Sequence, residues 1–259
     1  QINEKEYKKV NGTKTLPTVS VIVPTYRRDN TLKRALKSLD NQTYEFTEVI
    51  VVDDNENKVW NEKVENIVNH FIEKKNKKYI YIKNKTNEGS AKTRNKGIEA
   101  STGEYITFLD DDDIYLTNKI KNQVEHMIKA NSDYSITDLA LYNEEDKLIE
   151  VRRRKYIKEK NKQSLIRYHL KYHLTGTDTT MFKAEYLSEI GGFPPINVGD
   201  EFYLMMRAIE GNGKFSYLPV MDNRAYIHTI TDGLSSGESK IKGENALFEY
   251  KKKFFQSIK

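Results

Sequence analysis

The chain of 259 residues has no cysteine, which excludes disulfides, thiolate metal sites and cysteine nucleophiles. It has no apolar run near the ~18 residues of a membrane-spanning helix, and no signal-peptide pattern opens it. A cytoplasmic protein is therefore expected. Internal repeats and low-complexity linkers are also missing. Only 37% of the residues are hydrophobic against 31% charged, yet apolar segments recur periodically along most of the length, and that pattern is globular. The formal charge is +5. No nucleic-acid motif and no interleaving of aromatics with the lysines accompanies it, so nucleic acid is not an expected partner. An anionic substrate or membrane fits the charge better.

What is present is organised around Tyr105–Asp113, which reads YITFLDDDD. An apolar stretch suited to a buried strand runs into four aspartates, which repel one another and avoid a core. They belong at the carboxyl end of the strand, outside the sheet, where open α/β sheets bind ligands. A cation there would offset their repulsion. Alternation along an extended chain puts Asp110 and Asp112 on one side, with Asp111 and Asp113 on the other. Oxygen ligands of this kind suit Mg²⁺ or Mn²⁺.

Residues 1–18 form a polar, lysine-rich arm. Val19–Val23 reads as a buried parallel strand that Pro24 stops. Leu32, Ala35, Leu36 and Leu39 mark a helix over Asp29–Asn41. Val49–Val52 is a second strand ending in Asp53 and Asp54, and Val64 to Ile72 mark a second helix. Tyr79–Ile82 is a third strand, and Asn87–Ala100 is a turn feeding a third helix. This alternation is α/β, a mostly parallel sheet flanked by helices. Right-handed crossovers then bring Pro24–Tyr26, Asp53–Asp54 and Asp110–Asp113 to one rim.

Further on, Leu116 to Ile128 form a helix with Asp113 or Thr117 as cap. Strand-like alternation from Ser132 to Arg154 reads as a smaller mixed or antiparallel extension, with Arg152–Arg154 as its solvated edge. Ser164–Leu174 is a short helix or loop whose His169 and His173 are structural. Thr175–Met181 is hydroxyl-rich, Glu185–Ile190 is a helix, and Asp200 and Glu201 open an amphipathic helix through Ile209. Lys214–Leu218 and Arg224–His228 are short strands. A basic amphipathic helix over residues 236–259 carries Leu247, Tyr250, Phe254 and Ile258 on one face. It packs on its own domain, with peripheral contact at the inner face of an anionic membrane as the alternative.

VSVIVPTY, the VVDD strand end, NEGSAKTRNKG, GEYITFLDDDD and GDEF, in this order and spacing, resemble the inverting family-two glycosyltransferases with the GT-A fold. The resemblance covers nearly the whole chain. Two departures stand out: Asp111 lies where the family more often has a non-acidic residue, and Gly-Asp-Glu replaces the commoner Glu-Asp. The resemblance implies one GT-A domain over residues 19–235, with a nucleotide-binding half (19–115) and an acceptor half (116–235). It implies metal-dependent transfer from a nucleotide-diphosphate sugar, UDP-linked, to a carbohydrate, lipid-linked or polymer hydroxyl, in bacterial surface-polysaccharide assembly.

By the same resemblance, Pro24, Thr25, Tyr26 and Asp54 hold the nucleobase, and Arg94 lies beside base and diphosphate. Asp110 and Asp111 lie near the ribose and metal shell, and Asp112 holds Mn²⁺ or Mg²⁺ with His228. Asp200 is the general base, with Glu201 as the second candidate. Asp178 and the hydroxyls around it line the donor-sugar or acceptor pocket, with a core turn as the alternative. Two rivals remain. A nucleotide-sugar-forming nucleotidyltransferase calls for a glycine-rich phosphate loop that Pro24–Asn30 (PTYRRDN) lacks. A non-catalytic sugar- or nucleotide-binding module is opposed by the intact acids.

Overall fold

The computed structural model describes residues 8–10, 13–196, 198–227 and 238–257. A hairpin of β1 (Lys8–Val10) and β2 (Thr13–Thr15) precedes β3 (Val19–Thr25), α1 (Asn30–Asp40), β4 (Thr47–Asp53), α2 (Lys58–Lys74) and β5 (Lys78–Lys83). Then come α3 (Ser90–Ala100), β6 (Tyr105–Phe108), β7 (Ile114–Tyr115), α4 (Lys119–Ala130), β8 (Tyr134–Thr137), β9 (Leu139–Tyr142) and β10 (Leu148–Arg152). The chain continues through α5 (Lys162–Tyr172), β11 (Thr180–Lys183), α6 (Ala184–Glu189), α7 (Asp200–Glu210), β12 (Phe215–Leu218), β13 (Asn223–Tyr226) and α8 (Glu238–Ser257).

The apolar runs become strands because both their faces are covered. Val19, Val21, Val23, Val49 and Val51 pack with Leu32, Leu36, Val64 and Val68 from α1 and α2. Ile22, Ile106 and Phe108 point the other way, to Phe182, Leu204 and Met205. Each such side chain contributes roughly 1.5–3 kcal/mol of burial. The main sheet runs in the order β12-β8-β11-β6-β3-β4-β5, and only β11 is antiparallel to its neighbours. The register Thr25↔Asp53 between β3 and β4, and Ile22↔Phe108 between β3 and β6, brings the three carboxyl ends to one rim.

The second half differs from the sequence reading in three places. The strands expected as an extension over Ser132–Arg154 divide: β8 joins β11 and β12 in completing the main sheet, and β9 and β10 join β13 and β7 in the smaller one. Asn118, neither Asp113 nor Thr117, stands at the N-cap of α4. The Asp113 carboxylate accepts instead from the Tyr226 amide at 2.8 Å. Arg154 is not solvated, being 3% exposed, because its guanidinium serves backbone carbonyls of two other segments.

The apolar stripe of α8 packs on its own domain, with Leu247, Tyr250 and Phe254 against Leu170, Phe202 and Met206; Ile258 lies outside the described residues. His169 is structural as expected, between the Phe202 carbonyl and the Leu174 amide. Among the described residues no helix is long and apolar enough to cross a membrane.

Candidate active site

The rim assembles from the ends of β3, β4 and β6. Pro24 does not stop β3 as expected, since the strand pairs with β4 through Thr25↔Asp53, and Thr25 Oγ1 donates to Asp111 Oδ2 at 2.7 Å. The Tyr26 amide reaches the same oxygen at 3.2 Å. Arg27 takes a left-handed backbone (φ 53°) and its amide donates to Asn55 Oδ1 at 2.8 Å. This leaves Tyr26 38% exposed at the mouth of the site, with the Arg27 guanidinium 4.9 Å from its ring centroid. Asp54 organises the turn into α3: Oδ1 accepts from Asn84 Nδ2 and the Glu88 amide, and Oδ2 from the Gly89 amide, at 2.7–2.9 Å.

Helix α3 lies close on β3 because residue 97 is glycine. A Cβ there would come within 2.4 Å of Ile22 Cγ2. That close approach carries Arg94 into the rim, where it is 6% exposed. Its Nη2 pairs with Asp110 Oδ1 at 2.7 Å and its Nη1 with Asp200 Oδ2 at 2.9 Å. Burial works against its charge, but Asp110 and Asp200 more than offset this and raise its pKa. Ser90, at the start of α3, donates to the same Asp200 oxygen at 3.1 Å. Two acids 90 residues apart in sequence thus meet on one guanidinium.

The four aspartates do not alternate. The Asp113 amide donates to the Asp110 carbonyl at 3.1 Å, so Asp110–Asp113 form a tight turn. The turn sends Asp111 towards β3 and brings Asp110, Asp113 and Asp178 together, one carboxylate oxygen of each lying within 4.8 Å of the others. Asp178 also accepts from the Asp110 amide at 3.1 Å. Asp112 faces Arg28 Nη2 at 3.4 Å. Burial, followed by the charge of Asp112, pushes Asp111 up to about 7. Burial also raises Asp178 to about 7, and burial with the neighbouring Asp178 raises Asp113 well above the ordinary carboxylate range. Among the described residues, Asp178 Oδ2 is buried without a hydrogen-bond partner. A hard, all-oxygen donor set crowded this closely fits a divalent ion such as Mg²⁺ or Mn²⁺. His228 lies outside the described residues.

Glu201, next to Asp200 at the start of α7, is held from the loop before β11. Its Oε2 accepts from the Gly176 amide at 2.8 Å and its Oε1 from Thr177 Oγ1 at 2.6 Å. Burial, then the charge of Asp110, raises its pKa. Of Ser90, Gly176, Thr177 and Arg28, sequence reasoning reached only the Thr177 hydroxyl, as one of those around Asp178. The hydroxyl-rich run Thr175–Met181 was the available signal for two of them, and its contact with Glu201 is long-range.

Residues 20–191 match the sequence profile described as Glycosyl transferase family 2. The chain is 30% identical over 206 residues to an uncharacterized glycosyltransferase of Methanocaldococcus jannaschii, covering 78% of this chain and 68% of that protein. It is 35% identical over 121 residues to the GalNAc(5)-diNAcBac-PP-undecaprenol beta-1,3-glucosyltransferase of Campylobacter jejuni, covering 46% of this chain and 37% of that enzyme. S. aureus TarS in complex with UDP-GlcNAc superposes with a TM-score of 0.67 at 22% identity, over 85% of this chain and 61% of that one. That likeness carries the GT-A fold. The chain thus spans well under two thirds of several relatives, down to 18% of a Rickettsia bellii glycosyltransferase. With the profile covering most of its length and the acids gathered on one rim, the chain belongs to glycosyl transferase family 2.

Proposed function

We propose that this chain transfers a sugar from a uridine-diphosphate sugar to an acceptor hydroxyl by a single inverting displacement. The observation that carries the reading is the convergence of the tips of β3 and β6 with α7 through Arg94 and Asp111. Tyr26 is exposed where a base ring would pack, and Pro24, Thr25 and Asp54 shape the wall behind it. Asp110 and Asp111 lie between that wall and the metal shell. Asp112 would hold a divalent ion, with Asp110, Asp113 and Asp178 beside it, and such an ion stabilises negative charge on a departing diphosphate.

The acceptor oxygen attacks the anomeric carbon while the bond from that carbon to the diphosphate oxygen breaks. The diphosphate leaves with the bonding electrons, and a carboxylate takes the hydroxyl proton. Asp200 and Glu201 are the candidates for that base. Asp200 gives one oxygen to both Arg94 and Ser90, which suits a group that fixes the guanidinium. Glu201 has its proton affinity raised by burial and Asp110, which suits a base. We therefore read Glu201 as the base and Asp200 as its neighbour's anchor. The Campylobacter relative, named for an undecaprenol-diphosphate-linked acceptor, supports a lipid-linked acceptor in surface-glycan assembly.

A thermal-shift screen of nucleoside diphosphates with and without Mn²⁺ tests this. UDP with Mn²⁺ is expected to raise the midpoint most, by the equivalent of about 2.7 kcal/mol at a hundredfold excess over Kd, and Asp112→Asn should lose the Mn²⁺ increment. A midpoint that no nucleoside diphosphate moves, with or without Mn²⁺ or Mg²⁺, overturns the reading.

A further inference from the structure

The run Arg152–Lys155 looks uniform in sequence, but the fold separates its members. Arg152 is exposed and pairs with Glu150. Arg154 is 3% exposed. A guanidinium taken out of water must find acceptors, and an apolar residue of similar volume is often the more stable choice at a buried site. Arg154 spends its donors on backbone: Nη1 on the Thr137 carbonyl at the end of β8, and Nη2 on the Thr175 carbonyl. Its own amide is tied to Asp138 Oδ1 at 2.9 Å, and that oxygen is also fixed by the Tyr217 hydroxyl at 2.6 Å. The guanidinium is therefore anchored from behind and aimed at one short loop.

The next three residues of that loop all serve the candidate site. Gly176 takes a left-handed φ of 105°, a region that favours glycine, and its amide thereby points at Glu201. Thr177 gives its hydroxyl to the same carboxylate. Asp178 receives the Asp110 amide. Residues 176–178 thus hold the candidate base and the aspartate turn at once, and Thr175 is the point at which the loop is pinned to the sheet.

We propose that Arg154 is a positioning residue: by clamping the Thr175 carbonyl it sets the backbone that holds Glu201 and, through Asp178, the turn carrying Asp110. The role rests on the glycosyltransferase reading of the site. It also explains why arginine stands here. Two carbonyls from two segments match the planar fork of a guanidinium, whereas a lysine ammonium is a single point on a flexible stem.

The test compares the full chain with Arg154→Met, Arg154→Lys and Gly176→Ala in two measurements. Hydrogen exchange of a peptide covering residues 173–180 should quicken about tenfold or more in Arg154→Met and less in Arg154→Lys. Peptides from β4 and β6 should be unchanged. Release of UDP from UDP-glucose and UDP-N-acetylglucosamine should fall about 10²-fold in kcat for Arg154→Met and Gly176→Ala, because a small misplacement of a reacting group costs that much. KM for the donor should stay within about twofold, since donor binding is left intact. A merely structural arginine would instead loosen the strands together with the loop.

Unchanged loop exchange in Arg154→Met overturns the proposal, and so does faster loop exchange with unaltered kcat. Should Arg154→Met fail to fold, Arg154→Lys and Gly176→Ala decide by the same criteria. A wild-type protein that releases no UDP sinks the glycosyltransferase reading instead, and the exchange arm still decides whether Arg154 holds the loop.

Discussion

At the amino-terminal end of β3 and β4, Glu48 is 1% exposed and accepts four hydrogen bonds, from Ser20, Lys78 and the amide and hydroxyl of Thr102, at 2.6–2.8 Å. Burial opposes its charge, but those donors outweigh it and bring its pKa down to about 2. At the opposite rim of the sheet, Asp113 and Asp178 crowd together with Asp110 while Asp111 lies against β3, and the pKa values of Asp111, Asp113 and Asp178 move up. Residues of one chemical kind, buried in one sheet, are thus treated in opposite ways. Neutral and cationic donors satisfy the first, and further carboxylates surround the second. The contrast separates a carboxylate that holds the fold from a crowded all-oxygen set of the kind that suits a divalent cation. Cavity size would have misled: a groove of 720 Å³ lies at the Glu48 end, lined in part by Phe46, Lys78 and Thr102, away from the crowded acids.

The sharpest way to break this contrast is to remove Arg94, the buried cation that joins two of the rim acids. Arg94→Met leaves Asp110 and Asp200 without their shared partner, and breaking a buried pair from one side costs about 3–5 kcal/mol. Urea unfolding should show that loss together with lost UDP binding. If Arg94→Met is tolerated with little change, the rim acids are more solvated than their geometry implies.

At the other end, Glu48→Gln should cost about 3–4 kcal/mol at neutral pH, the worth of holding its pKa at about 2 instead of the ordinary value of 4.5. The pH dependence has a definite sign. A lowered folded pKa means that the stabilisation is fully present above about 4.5 and is lost as pH falls towards about 2. Unfolding curves of wild type and Glu48→Gln should therefore converge as pH drops through that window. A gap that stays constant would show that Glu48 works by packing and not by charge.

The same contrast explains how much the sequence revealed. Strands VSVIV and EVIVV were legible because burial on both faces demands uninterrupted apolar residues, and the aspartates after β6 were legible because nothing in a core accommodates them. Their local geometry was not. The turn that closes on the Asp110 carbonyl is a backbone choice that no periodicity encodes, so the expected alternation failed. Arg154 and Lys119 were misjudged or passed over for a different reason. Each is polar and surface-like by composition, and only long-range partners reveal its burial. Lys119, 1% exposed, donates to Thr107 Oγ1 and the Tyr115 hydroxyl, and burial lowers its pKa to about 7. Asp200, by contrast, was singled out through the resemblance that GDEF carries, although its tie to Arg94 spans 106 residues.

The smallest expected effect on stability sharpens the comparison from the ligand side. Tyr26 is exposed at the mouth and adds little to the core, so Tyr26→Ala should change unfolding free energy by no more than about 0.5 kcal/mol. Its ring should matter only when a base packs on it, where aromatic pairing is worth about 0.5–1.5 kcal/mol. Calorimetric titration with UDP and Mn²⁺ should then show affinity lowered about two- to tenfold, with the metal requirement intact because Asp112 is untouched. Equal affinity in the variant would move the nucleobase away from β3. The aspartate turn would keep its place as a cation site, but the wall built by Pro24, Thr25 and Asp54 would need another occupant.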